Sequence, residues 1–512
     1  RNDMPLEKNI SNNIKGKKKK ISKNKIFIIL MVVGCMMGSF SHTAFSSIFE
    51  LIMKQFSLSA GEAQLMTSIY SMTIGITTIL SVFLTKNINR KVLFLGAMFV
   101  FGSGVLFTAI SFNYVLILTG RVFQAIGSGI ILTLSQVVLL SSFSKQKTGL
   151  VMGIYGFMLN LSSALAPVIT IMLVKKISWQ TIMWWILIMS VFVIFLTWFK
   201  CHRRKKTHYE NYDEKENINL YSCEKSKMSA NCTLENCSGK QDLKENKFFK
   251  QTNLTGNFCR YFNSLRLFLY QKIIGLFKNF DIISFLFSSI SVIFLMLACM
   301  SIRDISVKDI NYWQKNLTAD EFVKISEYAI LKVVLYSCIS IVFILIFISR
   351  QKKMKNPYIR LELFKNKRFM AVVVTSIFIY GIMMGTALWF PVYINRMTGA
   401  GMERAGYIML PGAVIMAVSS VLGGWLYQKY GIRLLYAISI CSFILAFITR
   451  NVVPIWVMYS FRSIGIGAIM MPMTAWGMKE IKKEYYSDGT AIICSLRTIA
   501  GALGTAIASI LV

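Results

Sequence analysis

The stretch Ser81–Lys91, SVFLTKNINRK, places a short basic turn between two long apolar segments. A related stretch, Gly423–Arg433, GGWLYQKYGIR, lies between two further apolar segments much later in the chain. Two similar turns in similar surroundings predict that a helical unit is duplicated, because such internal repeats are common in membrane proteins with two related halves.

The apolar residues of the chain are concentrated in long runs. The chain has 512 residues, of which 55% are hydrophobic, and its mean hydropathy is +0.55. Soluble domains are usually about 45–50% apolar. A helix of roughly 20 apolar residues spans the hydrocarbon core of a bilayer, which is about 30 Å thick. The composition therefore predicts an all-α integral membrane protein.

The runs define thirteen predicted spans and a topology. The spans are 26–48, 64–85, 92–112, 114–142, 148–174, 179–199, 281–301, 327–349, 368–394, 404–428, 432–449, 453–478 and 488–512. Basic residues are concentrated in alternate links, although Lys175, Lys176 and Arg303 are exceptions. Because positive loops stay on the cytoplasmic side, we expect a cytoplasmic N-terminus.

The formal net charge of +34 does not indicate a nucleic-acid-binding protein. Its basic residues lie in links between spans, and no basic surface belongs to a soluble fold. The sequence has no GxxxxGK[ST] loop and no soluble domain large enough to hydrolyse nucleotide. We therefore expect neither an enzyme nor a cofactor.

The ten cysteines do not form a disulfide framework. Five lie in or beside spans and five lie in residues 200–280. The latter lack a CxxC pair, which favours free thiols over a zinc site, and we expect no bound metal.

Two polar regions flank the first six predicted spans. Residues 1–25 form a basic cytosolic tail containing KGKKKK, which serves either as a topology signal or as a contact to anionic lipid. Residues 200–280 form a basic cytosolic insert, and the polar composition of its first part predicts disorder. Arg260–Phe280, at its end, has the pattern of an amphipathic helix in the headgroup plane, with a fourteenth span as the alternative.

Few ionisable residues lie in the predicted spans, and none is a mid-span carboxylate. Arg121 is followed by Gln124 on the same helical face, and Arg462 and Arg497 lie in later spans. An arginine cannot release its proton, so Arg121 is predicted to attract an anion or to hold a polar network. The alternative is that its side chain extends towards the membrane surface.

Three further residues are candidates for coupling or movement. His42 titrates near neutral pH when exposed, but a lone histidine on an apolar helix is more often structural. Glu50 lies near the outer end of the first span. Pro167 follows several small residues, which suits a bend in a helix that moves against its neighbour, although plain helix packing also explains this composition.

Several motifs resemble those of the major facilitator superfamily, and within it the fourteen-span drug:proton antiporter branch of the EmrB/QacA type. The resemblance covers most of residues 26–199 and 352–512. It is carried by SVFLTKNINRK and its later copy, by RVFQAIGSG from Arg121, by ALAPVIT around Pro167, by ISWQTIMWWILI, by WFPVYINRMTGAGMERAGYIMLPGA and by SLRTIAGALGTAI.

The resemblance implies a fold. It implies the major facilitator fold, with pseudo-symmetric six-helix bundles at 26–199 and 352–512 and two extra spans at 281–351. The layout has one span more than the thirteen counted, so we expect a further span after Val512.

The resemblance also implies a function. We expect a monomer in the plasma membrane that exports small amphipathic, drug-like molecules by proton antiport with alternating access. Its partners would be the bilayer, protons and the substrate. The alternatives are a facilitator of another small solute, such as a peptide, amino acid or siderophore, and a degenerate paralogue without transport.

By the same resemblance we assign residues to roles. Arg121, Gln124, Arg462 and Arg497 form the transport network, Pro167 provides a helix bend, and His42 or Glu50 carries protons. The cytosolic gate comprises Lys86, Arg90, Lys91, Gly424, Lys429 and Arg433.

Two departures from the family pattern affect the mechanism. Ser41 stands where the branch has an aspartate in its first span, and Thr85 stands where the basic turn usually has another. Thr85 cannot make the charged contact of that aspartate. We expect its loss to shift the balance between inward and outward states by about 1–2 kcal/mol.

Overall fold

The computed structural model describes residues 26–45, 47–58, 60–174, 178–199, 281–303, 319–354, 357, 359–398, 402–449 and 453–511. Regular structure in these ranges is helical throughout, without strands. The predicted tail at 1–25 and the insert at 200–280, with its amphipathic helix, lie outside the described residues.

The α-helices are numbered here in chain order. They are α1 (Ile26–Phe45), α2 (Phe49–Phe56), α3 (Ala60–Asn87), α4 (Arg90–Ala109), α5 (Tyr114–Ser142), α6 (Thr148–Val174), α7 (Gln180–Phe199), α8 (Ile282–Arg303), α9 (Ala319–Lys353), α10 (Lys367–Thr398), α11 (Met402–Tyr430), α12 (Ile432–Ile448), α13 (Ile455–Met478) and α14 (Tyr486–Leu511). Short 3₁₀ turns, Leu361–Lys365 and Lys483–Tyr485, precede α10 and α14.

Each of the thirteen predicted spans coincides with a helix. Within the described residues, eleven of these helices are long and apolar enough to cross a membrane; α12, at 17 residues, and α14 are not among the eleven. The first span was predicted to reach residue 48, and Ser47 is still helical before a turn at Ile48. The separate helix α2 follows this turn, and Glu50 lies in it, close to the predicted end of the first span.

The two basic turns, SVFLTKNINRK and GGWLYQKYGIR, both connect consecutive helices. After α3 ends, the Asn89 side chain accepts a hydrogen bond from the Lys91 backbone N–H at 3.2 Å and caps α4. In the later copy, Gly431 has φ of 79° between α11 and α12, a conformation that glycine adopts without steric cost. Both tight turns of the predicted duplication are therefore present.

Small residues bring neighbouring helices into close contact. A Cβ atom on Gly127 of α5 would lie 2.6 Å from the Ala97 carbonyl oxygen on α4. Large apolar side chains on the outside, such as Phe99, Ile188 and Phe378, are exposed. In a membrane-spanning bundle this surface faces lipid, and small residues allow the close helix approach inside.

We call α1–α7 the N-terminal half and α10–α14 the C-terminal half. The halves meet where α3 packs on α14, and where α6 packs on α11 and α13. The intervening helices α8 and α9 pack on each other, with hydrogen bonds between Ser291 and Ser340, and α8 also contacts α3 and α14. The described residues of both halves up to Thr197, and from Ile282 onward, belong to one compact unit.

Candidate functional site

A buried polar network surrounds Arg121, as its spacing from Gln124 predicted. The Arg121 guanidinium donates from Nη1 to Gln124 Oε1 at 3.0 Å. Ser41 donates to the same oxygen at 3.1 Å, and Gln124 Nε2 donates to Thr108 Oγ1 at 2.8 Å. Ser41, which stands at the position of the first-span aspartate, is thus one of several uncharged side chains on α1, α4 and α5 that surround the Arg121 charge.

Aromatic rings cover the Arg121 guanidinium. Its central carbon lies 4.0 Å from the centre of the Tyr70 ring and 4.4 Å from that of Phe45. The side chain is fully buried, and its Nε and Nη2 atoms have no hydrogen-bond partner in the structure. The alternative, that the side chain extends towards the membrane surface, is therefore wrong, because tertiary packing encloses the charge.

Arg462 repeats this arrangement in the C-terminal half. Arg462 lies on α13, the fourth predicted span of the C-terminal half, and Arg121 lies on α5, the fourth predicted span of the N-terminal half. Its guanidinium lies 4.4 Å from the centre of the Tyr459 ring and 5.8 Å from that of Phe390, and Nη1 donates to Thr386. The Arg462 Nε atom is buried without a hydrogen-bond partner. The aromatic surroundings of the two arginines support the duplication predicted from the basic turns.

Arg497 has a different environment, rich in acceptors. From Nη2 it donates to Thr474 Oγ1 at 2.7 Å, to the Met470 carbonyl oxygen at 3.0 Å and to Ser376 Oγ at 3.2 Å. These acceptors lie on α10 and α13, so Arg497 on α14 connects three helices of one half. These contacts support a role of Arg497 in helix packing. Arg121, by contrast, has two guanidinium nitrogens without a described acceptor.

Polar contacts join the two halves in the middle of the helices. Cys494 on α14 donates to Gln136 Oε1 on α5 at 3.5 Å. Asn160 on α6 donates to Ser420 Oγ on α11 at 3.0 Å. These residues were not predicted as site residues, because two contact partners separated by hundreds of positions leave no spacing pattern in the sequence.

Backbone contact between the halves is closest where α6 begins and α11 ends. A Cβ atom on Gly153 would lie 2.5 Å from the Ser420 carbonyl oxygen. One on Gly424 would lie 2.7 Å from the Gly149 carbonyl oxygen. Gly424, predicted as a gate residue, therefore lies directly at the contact between the halves.

An ion pair closes the same end of the bundle. Lys86 Nζ, at the end of α3, lies 2.9 Å from Asp488 Oδ1, at the start of α14. The Asp488 side chain is fully buried, whereas that of Lys86 is 36% exposed. Thr85 makes no charged contact with the described residues; its hydroxyl donates to the Ser81 carbonyl oxygen. The effect of losing the aspartate on the balance of states stays a prediction, while a different charged contact joins the halves here, with the acid on the opposite half and Lys86 as the cation.

The other basic residues predicted for the gate lie in the same turn as Lys86 or in the later copy of that turn. Their described contacts are not ion pairs between the halves. Arg90 donates to Ser141 Oγ at 3.2 Å, and with Lys91 it lines a cavity of about 430 Å³. Lys429 lies above the Trp425 and Tyr430 rings, and Arg433 is exposed. Only Lys86 of the basic residues in this set has a described ion pair to the other half.

The three candidates for coupling and bending lie apart in the structure. The His42 ring is 4.8 Å from the Tyr70 ring, which in turn covers Arg121. Glu50 lies on α2. Pro167 lies inside α6, which continues as a helix on both sides of it. These positions leave the proton-carrier and bend assignments as predictions.

Comparison with known proteins decides the family. The family model described as Major Facilitator Superfamily matches residues 29–505 of the chain. The chain belongs to the major facilitator superfamily. This confirms the family predicted from the motifs and the all-α membrane fold.

Major facilitator relatives match along nearly the whole chain. The chain is 22% identical to the uncharacterized MFS-type transporter YcnB of Bacillus subtilis, over 94% of this chain and 85% of that protein. It is 24% identical to the lincomycin resistance protein LmrB of Listeria innocua, over 92% of this chain and 83% of that protein. Both similarities extend across the two halves and the helices between them.

Solved major facilitator structures share the fold. The proton:xylose symporter XylE, at 13% identity, superposes with a TM-score of 0.54, covering 95% of this chain and 88% of that one. The human organic anion transporter MFSD10 superposes with a TM-score of 0.53 at 11% identity, covering 94% and 92%. The chain is accordingly a multi-pass membrane transporter of the major facilitator superfamily and not an enzyme.

Proposed function

We propose that the chain exports small amphipathic, drug-like molecules across the plasma membrane by proton antiport. In this proposal it belongs to the fourteen-span antiporter branch, and its N-terminus is cytoplasmic. The bundles at 26–199 and 352–512 alternate between two orientations, and the segment 281–351 supplies the two extra spans. The names of relatives support export of drugs, since several are lincomycin resistance proteins.

The observation that carries alternating access is the cross-half contact at the Lys86 end. Lys86 and Asp488 form an ion pair between α3 and α14, on the same end as the glycine contact of α6 and α11. Together with the hydrogen bonds Asn160–Ser420 and Cys494–Gln136, these contacts are between the two halves, so they break together when the halves separate. With the N-terminus cytoplasmic, this end faces the cytoplasm, so the described conformation is closed on that side.

Flux measurements test the proposal. Purified full-length protein in liposomes should accumulate an amphipathic drug-like compound when an imposed pH gradient drives protons the opposite way, and uptake should collapse when a protonophore dissipates the gradient. Lincomycin and ethidium are probes of this uptake. A protein that binds either compound but moves none would support the degenerate paralogue. Exchange of His42 or Glu50 for glutamine should alter the pH dependence if that residue carries protons, and an unchanged pH profile in both variants would remove them.

A second candidate, a facilitator without proton coupling, is favoured by one observation. Among the buried described side chains, Asp488 is the one carboxylate, and it lies at the end of a helix. Proton-coupled carriers commonly keep ionisable groups within the membrane, where such groups are costly. Transport that is driven by the solute gradient alone, and is insensitive to pH, would establish this alternative.

A further inference from the structure

Three buried arginines, Arg121, Arg462 and Arg497, lack a described counter-ion. Two ion pairs join described side chains, Lys86–Asp488 and Arg368–Glu480, and neither involves these arginines. Arg497 has three hydrogen-bond acceptors, whereas Arg121 and Arg462 each keep at least one buried guanidinium nitrogen without a described partner. Arginine keeps its proton in proteins, so both side chains carry full positive charge. Burying a charge is costly unless it is paired, and buried charges in proteins are generally paired or coordinated.

The described contacts compensate these charges only in part. Arg121 uses Nη1 for Gln124, while its Nε and Nη2 atoms have no partner. The Tyr70 and Phe45 rings attract the guanidinium through their faces but offer no acceptor for its N–H groups. Because Ser41 and Gln124 are neutral, the network around Arg121 adds no negative charge. The site therefore has hydrogen-bond donors and positive charge available for an anion.

We propose that the transported molecule is an amphipathic organic anion, and that Arg121 and Arg462 bind its carboxylate or a comparable acidic group. A planar guanidinium with free N–H atoms matches a carboxylate in both charge and geometry. The rings beside each arginine supply apolar surface for the rest of the molecule. This rests on the proposed transport function and narrows its substrate class.

The conformation described is one in which both binding groups are covered. The Arg121 side chain is fully buried and that of Arg462 is 6% exposed. Binding therefore requires the covering rings to move, as happens when a carrier opens to one side. The similar placement of the two arginines in the two halves means that opening of the halves changes the surroundings of both.

The test uses two probes that differ in charge but hardly in shape, 1-naphthaleneacetate and 1-naphthaleneacetamide. Full-length protein in a non-ionic detergent is titrated with each by calorimetry. The carboxylate should bind at least tenfold more tightly than the amide. Equal affinity for the two probes, or no binding of the carboxylate at millimolar concentration, would overturn the proposal.

Variants connect this preference to the arginines. Arg121→Gln and Arg462→Gln should each weaken carboxylate binding at least tenfold while leaving amide binding unchanged. Arg368→Gln removes an arginine from an exposed ion pair and should retain the preference. Carboxylate binding that persists undiminished in both of the first two variants contradicts the assignment.

Ser41→Asp provides a variant that keeps both arginines. It places a carboxylate in the network of Arg121 and Gln124, where it can occupy the free donors, so it should weaken binding of 1-naphthaleneacetate about as much as Arg121→Gln does. Unchanged affinity in Ser41→Asp would count against Arg121 as the anion site.

Failure of this inference is distinguishable from failure of the transport function. Proteoliposomes that move neutral or cationic drugs but show no anion preference would leave the transport function intact and reject the substrate class. Anion binding without flux of any probe would leave the anion site intact and reject the transport function.

Discussion

Breaking the Lys86–Asp488 ion pair should open the end of the bundle that it closes. Lys86→Gln removes the cation of the pair and leaves the Asp488 carboxylate fully buried, with Oδ2 unpartnered as in the wild type and Arg360 nearby as the remaining stabilising group. A hydrogen bond to a charged group contributes about 1.5–3 kcal/mol. In the open state water can reach the carboxylate, so the cost falls mainly on the closed state.

A loss of about 2 kcal/mol corresponds to about a 30-fold shift towards the open state. Asp488→Asn should shift the balance less, by about fivefold, because it removes the buried charge and leaves Lys86 able to reach water. Exchange of the two residues, Lys86→Asp with Asp488→Lys, should restore part of the closed population. The exposed pair Arg368–Glu480 is the matched control, and its loss should have little effect.

The native Cys494 thiol reports the opening. It is buried and donates to Gln136 on the other half, so separation of the halves breaks this contact and admits reagent. The rate of Cys494 alkylation by N-ethylmaleimide, followed by peptide mass spectrometry, should rise in Lys86→Gln and stay unchanged in Arg368→Gln. Equal rates in Lys86→Gln and wild type would refute the reasoning.

Three further predictions concern close packing and the polar contacts of the arginines. Gly424→Val should slow transport and speed Cys494 alkylation, because the valine side chain would displace the Gly149 backbone. Gly96→Ala is the control: Gly96 has open space around it, so transport and alkylation should stay unchanged. Arg497→Gln should lower the thermal unfolding temperature in detergent, since three acceptors lose their donor at a cost of about 1 kcal/mol each. Gln124→Ala should also destabilise the protein, by about 1–3 kcal/mol, because a buried guanidinium N–H and a buried Thr108 hydroxyl lose a partner.

The helices could be predicted from sequence because apolar length is a local property. The fifth helix was predicted at 114–142 and is found at Tyr114–Ser142, where Asn113 accepts a hydrogen bond from Leu116 N–H as its N-cap. The separate helix α2, which follows a turn at Ile48, was not predicted, since the apolar run continues into it. Hydropathy measures the run and does not detect where the chain changes direction within it.

The polar site could be predicted only in part, for a similar reason. Arg121 and Gln124 are one helical turn apart, so their contact follows from spacing. The partners Ser41 and Thr108 come from other helices, and Asp488 is 402 positions from Lys86. Such contacts depend on how helices pack, which one sequence does not encode at any fixed spacing.

The positions of the acidic groups connect the ion pair with the arginine sites. The chain has Ser41 and Thr85 where the drug:proton antiporter branch that its motifs resemble has aspartates, and its described buried carboxylate, Asp488, lies on the opposite half at the closed end. An acid at position 41 would pair with Arg121 and neutralise it. Without that acid the arginine charge remains available for a ligand, while Asp488 with Lys86 still holds the halves together at one end. Closure of the halves and charge recognition are thereby assigned to separate residues, so the Lys86 variants should change alkylation of Cys494 without changing the preference for a carboxylate over its amide.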